Sequence, residues 1–289
     1  MSHHLGLNIG DAMAEIVEFV REGPEITISA IGEWPVTAPL TDQTLAEHID
    51  TFMRANSIVA GSISVALSTS RIIVHTFPAD AGTTHPQWTA AARWELSRLL
   101  PGKQSEGYIT DAIALPPPPG RSGVEVLSVS LRRDDVAMLE SAAGASGMKV
   151  SSFAADIFCA ETIYLERSPG GPPPASLIVM VRADRIEWTR LSGRVTVRYG
   201  TRPLDGASAE DAIAAVLPGV GTVDRIMLHG PKAGPAIIEA LQARHAVKAE
   251  ILDPFATMAV PATLPLVDHF MRTPQRFAAA VGAALRAEE

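Results

Sequence analysis

The hydrophobic pattern at the start of the chain predicts three strands, then a helix and a fourth strand. Three short runs rich in strand-forming residues are separated by turn residues: 5–10, 14–20 and 25–31. Such runs predict an antiparallel meander. Thr41 is a good N-cap, and apolar residues follow it at helical spacing from Leu45 to Met53, which predicts a helix. Residues 62–67 then alternate in the manner of a strand.

The same order of elements returns in the second part of the chain. Strand-like runs lie at three places: 177–181, 185–191 and 195–200. Ser208 with Asp211 three residues later is an N-terminal capping pattern, and 225–228 is the next apolar run. A helix, a strand and a final helix complete the prediction: 235–245, 247–252 and a helix with Phe277, Val281 and Leu285 on one face. The chain is therefore predicted to contain two copies of a βββαβα unit.

An extra block in the first copy, from about residue 71 to 152, has no counterpart in the second. Its pattern predicts strand, helix, strand, strand, helix and strand: 72–77, 86–100, 108–115, 124–131, 134–145 and 149–153. Pro86 at a helix start and Pro101-Gly102 at its end fit the rules for helix termini. We predict an inserted α+β subdomain, after which the first copy resumes with a helix over 155–166.

Two stretches rich in proline and glycine, 116–120 and 168–174, interrupt regular structure. The second marks the predicted domain boundary. We predict a first half over 1–172, containing the insert at about 71–152, and a second half over 173–289.

Composition narrows the class of protein. The 289 residues are 47% apolar and carry a formal net charge of −8, so the chain is globular and lacks the concentrated basic face of a nucleic-acid binder. A single cysteine, Cys159, excludes an intramolecular disulfide and suits a reducing compartment. We expect no secretory signal and no membrane-spanning segment. A cytoplasmic protein that reaches a membrane only through a partner is therefore expected.

The chain opens with the motif Leu5-Gly6-Leu7-Asn8-Ile9-Gly10, which is followed by Glu15-Ile16-Val17-Glu18-Phe19. This opening resembles the start of the PilM family, in the FtsA and PilM branch of actin-like proteins. Further similar motifs are Ala91-Ala92-Arg93-Trp94-Glu95-Leu96 with Leu99-Leu100-Pro101, Leu252-Asp253-Pro254-Phe255, and residues 277–286. The resemblance covers nearly the whole chain, and the common order of the motifs carries it.

This resemblance implies an α/β protein with the actin-like ATPase fold, made of duplicated ribonuclease H-like βββαβα units with a small α+β subdomain inserted in the first half. It also implies a cytoplasmic scaffold or adaptor of a type IV pilus or related secretion machine, peripheral to the inner membrane. The implied partner is the cytoplasmic N-terminal tail of a PilN-like inner-membrane protein, bound in a groove beside the insert.

In this fold two β-hairpin turns, one in each half, hold the nucleotide phosphates, which requires glycine and an acidic residue that organises Mg²⁺. The first turn keeps Gly10, but Asn8 replaces the family aspartate, Asp11 replaces a small hydroxyl residue and Glu15 replaces a lysine. The two carboxylates either face the phosphate chain, which like charge disfavours, or are simply solvated.

The second turn departs further from the family pattern. Met180-Val181-Arg182 stands in place of Asp-Ile-Gly, and we expect Arg182 and Arg185 to be solvated charges, with contact to an anion as the alternative. Gly230 remains in the loop 229–234 on the adenosine side, next to Pro231. The helical region that forms the far wall of the family's nucleotide cleft is nearly missing, because few residues separate Tyr199 from Val223, so the resemblance implies a second half with a reduced outer subdomain. The sequence therefore predicts a pseudo-ATPase with no cofactor. The alternatives are a switch that binds ATP and Mg²⁺, and a small-molecule kinase of the same superfamily.

Other chemistry has little support in the sequence. No His-Glu-x-x-His, Gly-x-Ser-x-Gly or P-loop motif occurs, so we expect no catalytic residues and no metal site. Cys159 lies among apolar residues of a predicted helix and is expected in the core. Trp88 and Trp94 lie on different faces of the first helix of the insert. We expect Trp88 to pack in the core, and Trp94 is a candidate for a partner surface.

Overall fold

The computed structural model describes residues 2–36, 39–80, 82–117, 123–167, 173–245 and 247–286. The first half begins with β1 (Ser2–Ile9), β2 (Met13–Glu22), β3 (Glu25–Pro35), α1 (Asp42–Ala55) and β4 (Ser62–Leu67). As predicted, β1 to β3 form a meander, and the Thr41 side chain caps α1 by accepting from the backbone N–H of Thr44. Leu45, Ile49 and Phe52 bury one face of α1. The predicted strands and helix are confirmed here.

The insert is a three-stranded antiparallel sheet covered by one helix. It contains β5 (Ile72–Ala79), α2 (His85–Leu99), β6 (Tyr108–Leu115) and β7 (Val124–Arg132). The strand order is β5-β7-β6, so β6 is an edge strand. Ala92 of α2 packs with Phe77, Ala112 and Val126 of the sheet in a small apolar cluster. The face of β6 that carries Ala112 therefore points toward α2.

The predicted insert of about 71–152 includes two elements that the structure places elsewhere. Helix α3 (Arg133–Ala145) packs on α1, and strand β8 (Lys149–Ala155) pairs in parallel with β4 of the first large sheet. That sheet has the order β3-β2-β1-β4-β8. Helix α3 belongs to the first half because its apolar face is buried in the core of that half. This face consists of Leu139, Ala142 and Ala143. Pairing of β8 was not visible from its sequence alone.

The second half repeats the order of the first large sheet. It contains β9 (Ser176–Val181), β10 (Arg185–Ser192), β11 (Val195–Pro203), α5 (Ala209–Val220), β12 (Arg225–His229), α6 (Pro235–Arg244) and β13 (Lys248–Ile251). Its sheet order is β11-β10-β9-β12-β13. Antiparallel and parallel pairings correspond strand by strand to those of the first sheet. The duplication predicted from the sequence is therefore confirmed by the topology. Of the predicted boundary at 172/173, residues 168–172 lie outside the described residues.

The last helix of the chain lies against the first half. After α7 (Val267–Phe270), helix α8 (Ala278–Arg286) packs on β1, β2, β4 and on α4 (Asp156–Glu166). Two glycines allow this close approach. A Cβ atom on Gly6 would lie 2.0 Å from Ala280 O, and one on Gly282 would lie 1.9 Å from Cys159 O. The segment 173–289, predicted as the second half, therefore ends in a helix that covers the first sheet. None of the helices in the described ranges has the length and apolar character needed to cross a membrane.

Candidate functional site

The two hairpin turns singled out in the sequence face each other across the junction of the two halves. The turn between β1 and β2 carries Asp11, and the turn between β9 and β10 carries Arg182. Arg182 Nη1 lies 3.3 Å from Asp11 Oδ2. The structure therefore brings together residues that are far apart in the sequence, as the duplicated fold requires.

Arg182 is buried, with only 4% of its side chain exposed. Its Nη2 donates to Asp156 Oδ2 at 2.5 Å, and its Nε donates to Glu187 Oε1 at 2.5 Å. Burial alone would lower the pKa of Arg182, but Asp156 and Glu187 outweigh it and raise the pKa well above the usual value. The expectation of a solvated arginine was wrong, because three carboxylates from separate elements neutralise the guanidinium group.

Arg185 extends the same network toward solvent. Its Nε donates to Glu187 Oε1 at 3.0 Å, and its Nη2 donates to Thr69 Oγ1 at 3.1 Å. Thr69 in turn donates to Glu187 Oε1 at 2.7 Å. With 19% of its side chain exposed, Arg185 is also less solvated than expected. A loop of the first half, after β4, is thus hydrogen-bonded to a strand of the second.

The carboxylate of Asp11 is half-buried and accepts hydrogen bonds from two serines. Ser68 Oγ and Ser70 Oγ donate to Asp11 Oδ1 at 2.5 Å and 2.6 Å. Burial raises the pKa of Asp11, but the two serine hydrogen bonds, with the charges of Arg182 and Arg185, outweigh it and leave the pKa lowered. Asp11 is therefore ionised and paired with donors of the protein. The sequence offered two interpretations, a carboxylate that faces a phosphate chain and a solvated carboxylate, and neither describes Asp11.

Asn8 and Glu15 form a buried pair next to this network. Asn8 Nδ2 donates to Glu15 Oε2 at 2.8 Å. Burial raises the pKa of Glu15 to about 8, even though the Asn8 hydrogen bond and Arg276 lower it. The interpretation of Glu15 as a solvated carboxylate was wrong, because β2 places its side chain in the interior.

The two predicted glycines have their backbone donors committed to the protein. Gly10 N–H donates to Met13 O at 2.9 Å within the first turn, and Gly230 N–H donates to Gln275 O at 3.1 Å. Gly230 has a φ of +95°, which favours glycine. Burial, with a smaller contribution from Arg182, lowers the pKa of the neighbouring His229 to about 3, so its imidazole is uncharged.

These residues do not fit the triphosphate of ATP with its Mg²⁺. Phosphate oxygens need free backbone donors or cations, and Mg²⁺ needs free carboxylate oxygens. Here the donors of Gly10 and Gly230 are used internally. The cations Arg182 and Arg185 are paired with Asp11, Asp156 and Glu187.

A second feature is a groove of about 480 Å³ beside the insert. Ile109, Asp111 and Ile113 of the edge strand β6 line one wall, on the face of the strand opposite to α2. The remaining lining comes from both halves and includes Val136 of α3, Phe158 of α4, Thr196 of β11 and Arg286 of α8. The groove is mostly apolar, and about half of the Ile109 and Ile113 side chains is exposed, at 43% and 50%.

Trp94 lies away from this groove. It is 59% exposed on α2, and the guanidinium group of Arg98 stacks over its ring at 4.8 Å. Its role as a partner surface stays a prediction. Trp88 is half-buried in the small cluster under α2, and Cys159 is fully buried between α4 and α8, as expected. In the described part of the chain, no three His, Cys, Asp or Glu side chains are placed to hold a metal ion.

Some residues of these two sites were not found by sequence reasoning. Asp156 and Glu187 carry no motif, and only the fold shows that they converge on Arg182. The groove was expected, but its residues were not. A signal was present in β6, where Ile109 and Ile113 alternate with the buried residues Thr110 and Ala112. A strand that is apolar on both faces indicates a second packing surface.

Two sheets with the same strand order, and one hairpin turn from each half facing the other, define the actin-like ATPase fold. No family model matches the sequence, and no curated protein does. Comparison with solved structures confirms the fold. One chain of a PilM–PilN type IV pilus biogenesis complex superposes with a TM-score of 0.76 at 18% identity, covering 99% of this chain and 98% of that chain.

Two further solved structures share the fold at lower similarity. The cytoplasmic domain of EpsL, an inner-membrane component of the type II secretion system of Vibrio cholerae, has a TM-score of 0.55 at 14% identity, covering 99% of this chain and 95% of that one. A Bacteroides thetaiotaomicron protein with an actin-like ATPase fold and unknown function has a TM-score of 0.55 at 10% identity, with coverages of 88% and 91%. The chain thus has a PilM-like structure.

Proposed function

We propose that this chain is a PilM-like scaffold of a type IV pilus or related secretion machine. Its partner is the cytoplasmic N-terminal tail of a PilN-like inner-membrane protein, which brings the chain to the membrane. The proposal includes the absence of ATP hydrolysis. The similarity to PilM in a complex with PilN supports it.

The groove beside the insert is the observation that carries the proposal. An extended peptide can pack apolar side chains against Ile109 and Ile113, and it can add backbone hydrogen bonds at the edge of β6. Phe158 and Val136 supply apolar surface on the facing wall. The lining of the groove is mostly apolar, which suits the side chains of a short peptide. Its few polar groups can fix the direction in which the peptide binds.

The cleft between the halves supports a scaffold without ATP hydrolysis. Catalysis of phosphoryl transfer depends on cations and Mg²⁺ placed around the phosphates. In this chain Arg182 and Arg185 are neutralised by protein carboxylates. The residues of the cleft therefore do not favour ATP hydrolysis, whereas the groove offers a surface for a partner.

The test is a titration of the full chain with a fluorescent synthetic peptide, the cytoplasmic N-terminal tail of the PilN-like protein encoded with it. We expect saturable binding, and a loss of affinity of about 10-fold or more in Ile113→Asp, because a charge would be buried in an apolar contact. Leu99→Asp is the matched control. Leu99 is 51% exposed, against 50% for Ile113, but lies on α2 outside the groove.

The affinities of these variants would show whether the peptide binds in the groove. Equal affinity in Ile113→Asp and the parent would exclude the groove as the binding site. Loss of affinity in Trp94→Ala, with Ile113→Asp unchanged, would move the site to the outer face of α2. Failure of the parent chain to bind any tail encoded with the same machine would refute the function itself.

A further inference from the structure

The Arg182 cluster, formed by Arg182 with Asp11, Asp156 and Glu187, joins both halves of the molecule. Arg182 and Glu187 belong to the second half, whereas Asp11 and Asp156 belong to the first half. Asp156 is 1% exposed and Glu187 is fully buried. The cluster occupies the place where the two hairpin turns meet.

The geometry of the cluster depends on an arginine. Each of the three nitrogens of the planar guanidinium group points to a different carboxylate, with Nε to Glu187, Nη2 to Asp156 and Nη1 to Asp11. A lysine has one charged nitrogen and cannot reproduce this fork. A second arginine, Arg185, and Thr69 complete the hydrogen bonds of Glu187 Oε1.

The charge balance makes separation of the halves unfavourable. Opening the cleft would separate the Arg182 guanidinium group from Asp156 and Asp11 and would leave it only Glu187 of its own half, while Asp156 would lose its cation. Removing one partner from a buried ion pair is strongly destabilising for this reason. The cluster therefore favours one relative position of the two halves.

The same relative position forms the groove. Thr196 of the second half and Arg286 of α8 line the groove together with Ile109 and Ile113 of the insert. A displacement of β11 from β6 would remove one wall. Phe158 lies two residues after the cluster residue Asp156 in α4 and packs against Tyr199 of β11, with ring centroids 5.6 Å apart and the rings tilted by 51°. Helix α4 therefore carries one residue of the cluster and one residue of the groove.

We propose that the Arg182 cluster fixes the closed arrangement of the two halves without a nucleotide, and so keeps the groove permanently formed. The guanidinium group takes the bridging role that a bound ligand would otherwise have between the two turns. The cluster acts on the groove by position, since none of its members lines it. The closed arrangement stands independently of the proposed function, and only its effect on peptide affinity rests on that function.

Two variants separate closure from simple loss of stability. Arg182→Met removes the cation and leaves buried carboxylates uncompensated. The triple variant Arg182→Met, Asp156→Asn, Glu187→Gln removes the charges together, so that no unpaired charge stays buried. Arg190→Met is the control, because Arg190 lies on the same strand as Glu187 but donates to Thr222 O within its own half.

The measurement is the distribution of distances between spin labels on the two halves, by pulsed electron paramagnetic resonance. Labels are placed at Glu47→Cys on α1 and Glu239→Cys on α6, both exposed, in a Cys159→Ala background. We expect one narrow distribution in the background protein and in Arg190→Met, with or without millimolar Mg-ATP. We expect a broader, longer distribution in Arg182→Met and in the triple variant, with peptide affinity reduced about 10-fold in the triple variant.

Unchanged distributions in a folded triple variant would overturn the proposal. Equal broadening in Arg190→Met would also overturn it, since that result would show a general loosening of the second sheet. If Arg182→Met does not fold, the triple variant and the Arg182→Lys variant give the measurement. If the background protein binds no peptide but gives a narrow distribution that broadens in the triple variant, the proposed function is refuted and the closure by Arg182 is supported.

Discussion

The carboxylate of Asp156 and the guanidinium group of Arg182 form a buried ion pair of 2.5 Å between the two halves of the molecule. Asp156 begins α4 in the first half, and Arg182 follows β9 in the second. Burial raises the pKa of Asp156, whereas Arg182 opposes this and favours the ionised form. The pair therefore places an arginine, whose charge is neutralised by a carboxylate, between the two hairpin turns. In the actin-like ATPase fold the corresponding turns hold the phosphates of the nucleotide.

From this pair we predict that Mg-ATP does not stabilise the protein. A ligand that binds only the folded state stabilises it by RT ln(1 + [L]/Kd), so the unfolding temperature rises with ligand concentration. We expect no shift in the midpoint of thermal unfolding up to millimolar Mg-ATP, and no heat in a calorimetric titration. Binding in the micromolar range would contradict the prediction and would favour the interpretation as an ATP-binding switch.

A second prediction concerns the pH dependence of stability through Glu15. Its pKa is raised from 4.5 to about 8 in the folded protein, so the folded state binds more protons than the unfolded state between these values. This contribution to stability is complete below about pH 4.5 and is lost as the pH rises to about 8. The Glu15→Gln variant should not lose this stability as the pH rises, because the glutamine amide does not ionise.

We therefore expect Glu15→Gln to be as stable as the parent near pH 4.5 and more stable by up to about 5 kcal/mol near pH 9, because the pKa of Glu15 rises from 4.5 to about 8 and each pKa unit corresponds to about 1.4 kcal/mol. Urea unfolding at several pH values measures the difference. Glu239→Gln, at an exposed position on α6, is the control and should follow the parent. A constant difference between Glu15→Gln and the parent across this range would contradict the raised pKa.

A third prediction tests the packing of α8. A Cβ atom at Gly282 would lie 1.9 Å from the backbone oxygen of Cys159, so Gly282→Ala forces α8 away from α4. We expect a loss of about 3 kcal/mol in the free energy of unfolding, as in other overpacked cores. Gly144→Ala is the matched control, because it lies in α3 with open space around it. That variant should gain up to about 1 kcal/mol from helix propensity.

A fourth prediction concerns the single thiol. Cys159 is fully buried, and burial raises its pKa to about 12, so the thiolate that reacts with disulfide reagents is scarce. We expect no reaction with a chromogenic disulfide reagent in the native protein at pH 8, and one equivalent of reaction in denaturant. Fast reaction in the native protein would show that α4 and α8 separate readily.

Much of the fold could be predicted from the sequence because its signals are local. The caps at Thr41 and Ser208 and the alternation of the strands determine where elements begin and end. Pairing between distant elements is not a local property. The assignment of β8 to the large sheet and the return of α8 to the first half depend on contacts between residues far apart in the chain.

The environment of the site residues could be predicted from the sequence even less than the pairing of distant elements. Asp11 and Arg182 were recognised as departures from the family pattern, but their environment was not predictable, because solvation depends on neighbours from other elements. Arg182 is buried since Asp156 and Glu187 neutralise it. Glu15 is buried since β2 lies within the sheet, between β1 and β3. Single-residue expectations favour exposure for both types, so the sequence pointed to the wrong environment.

The contact between Gly6 and Ala280 has a consequence for the order of folding during synthesis. These residues are far apart in the sequence, yet α8 covers β1 and β2 with the buried residues Val281 and Leu285. While a ribosome is still making the second half, the apolar face of the first sheet has no cover from α8. We therefore expect this face to be prone to aggregation until α8 emerges, and deletion of 278–286 to expose the same surface in the first half.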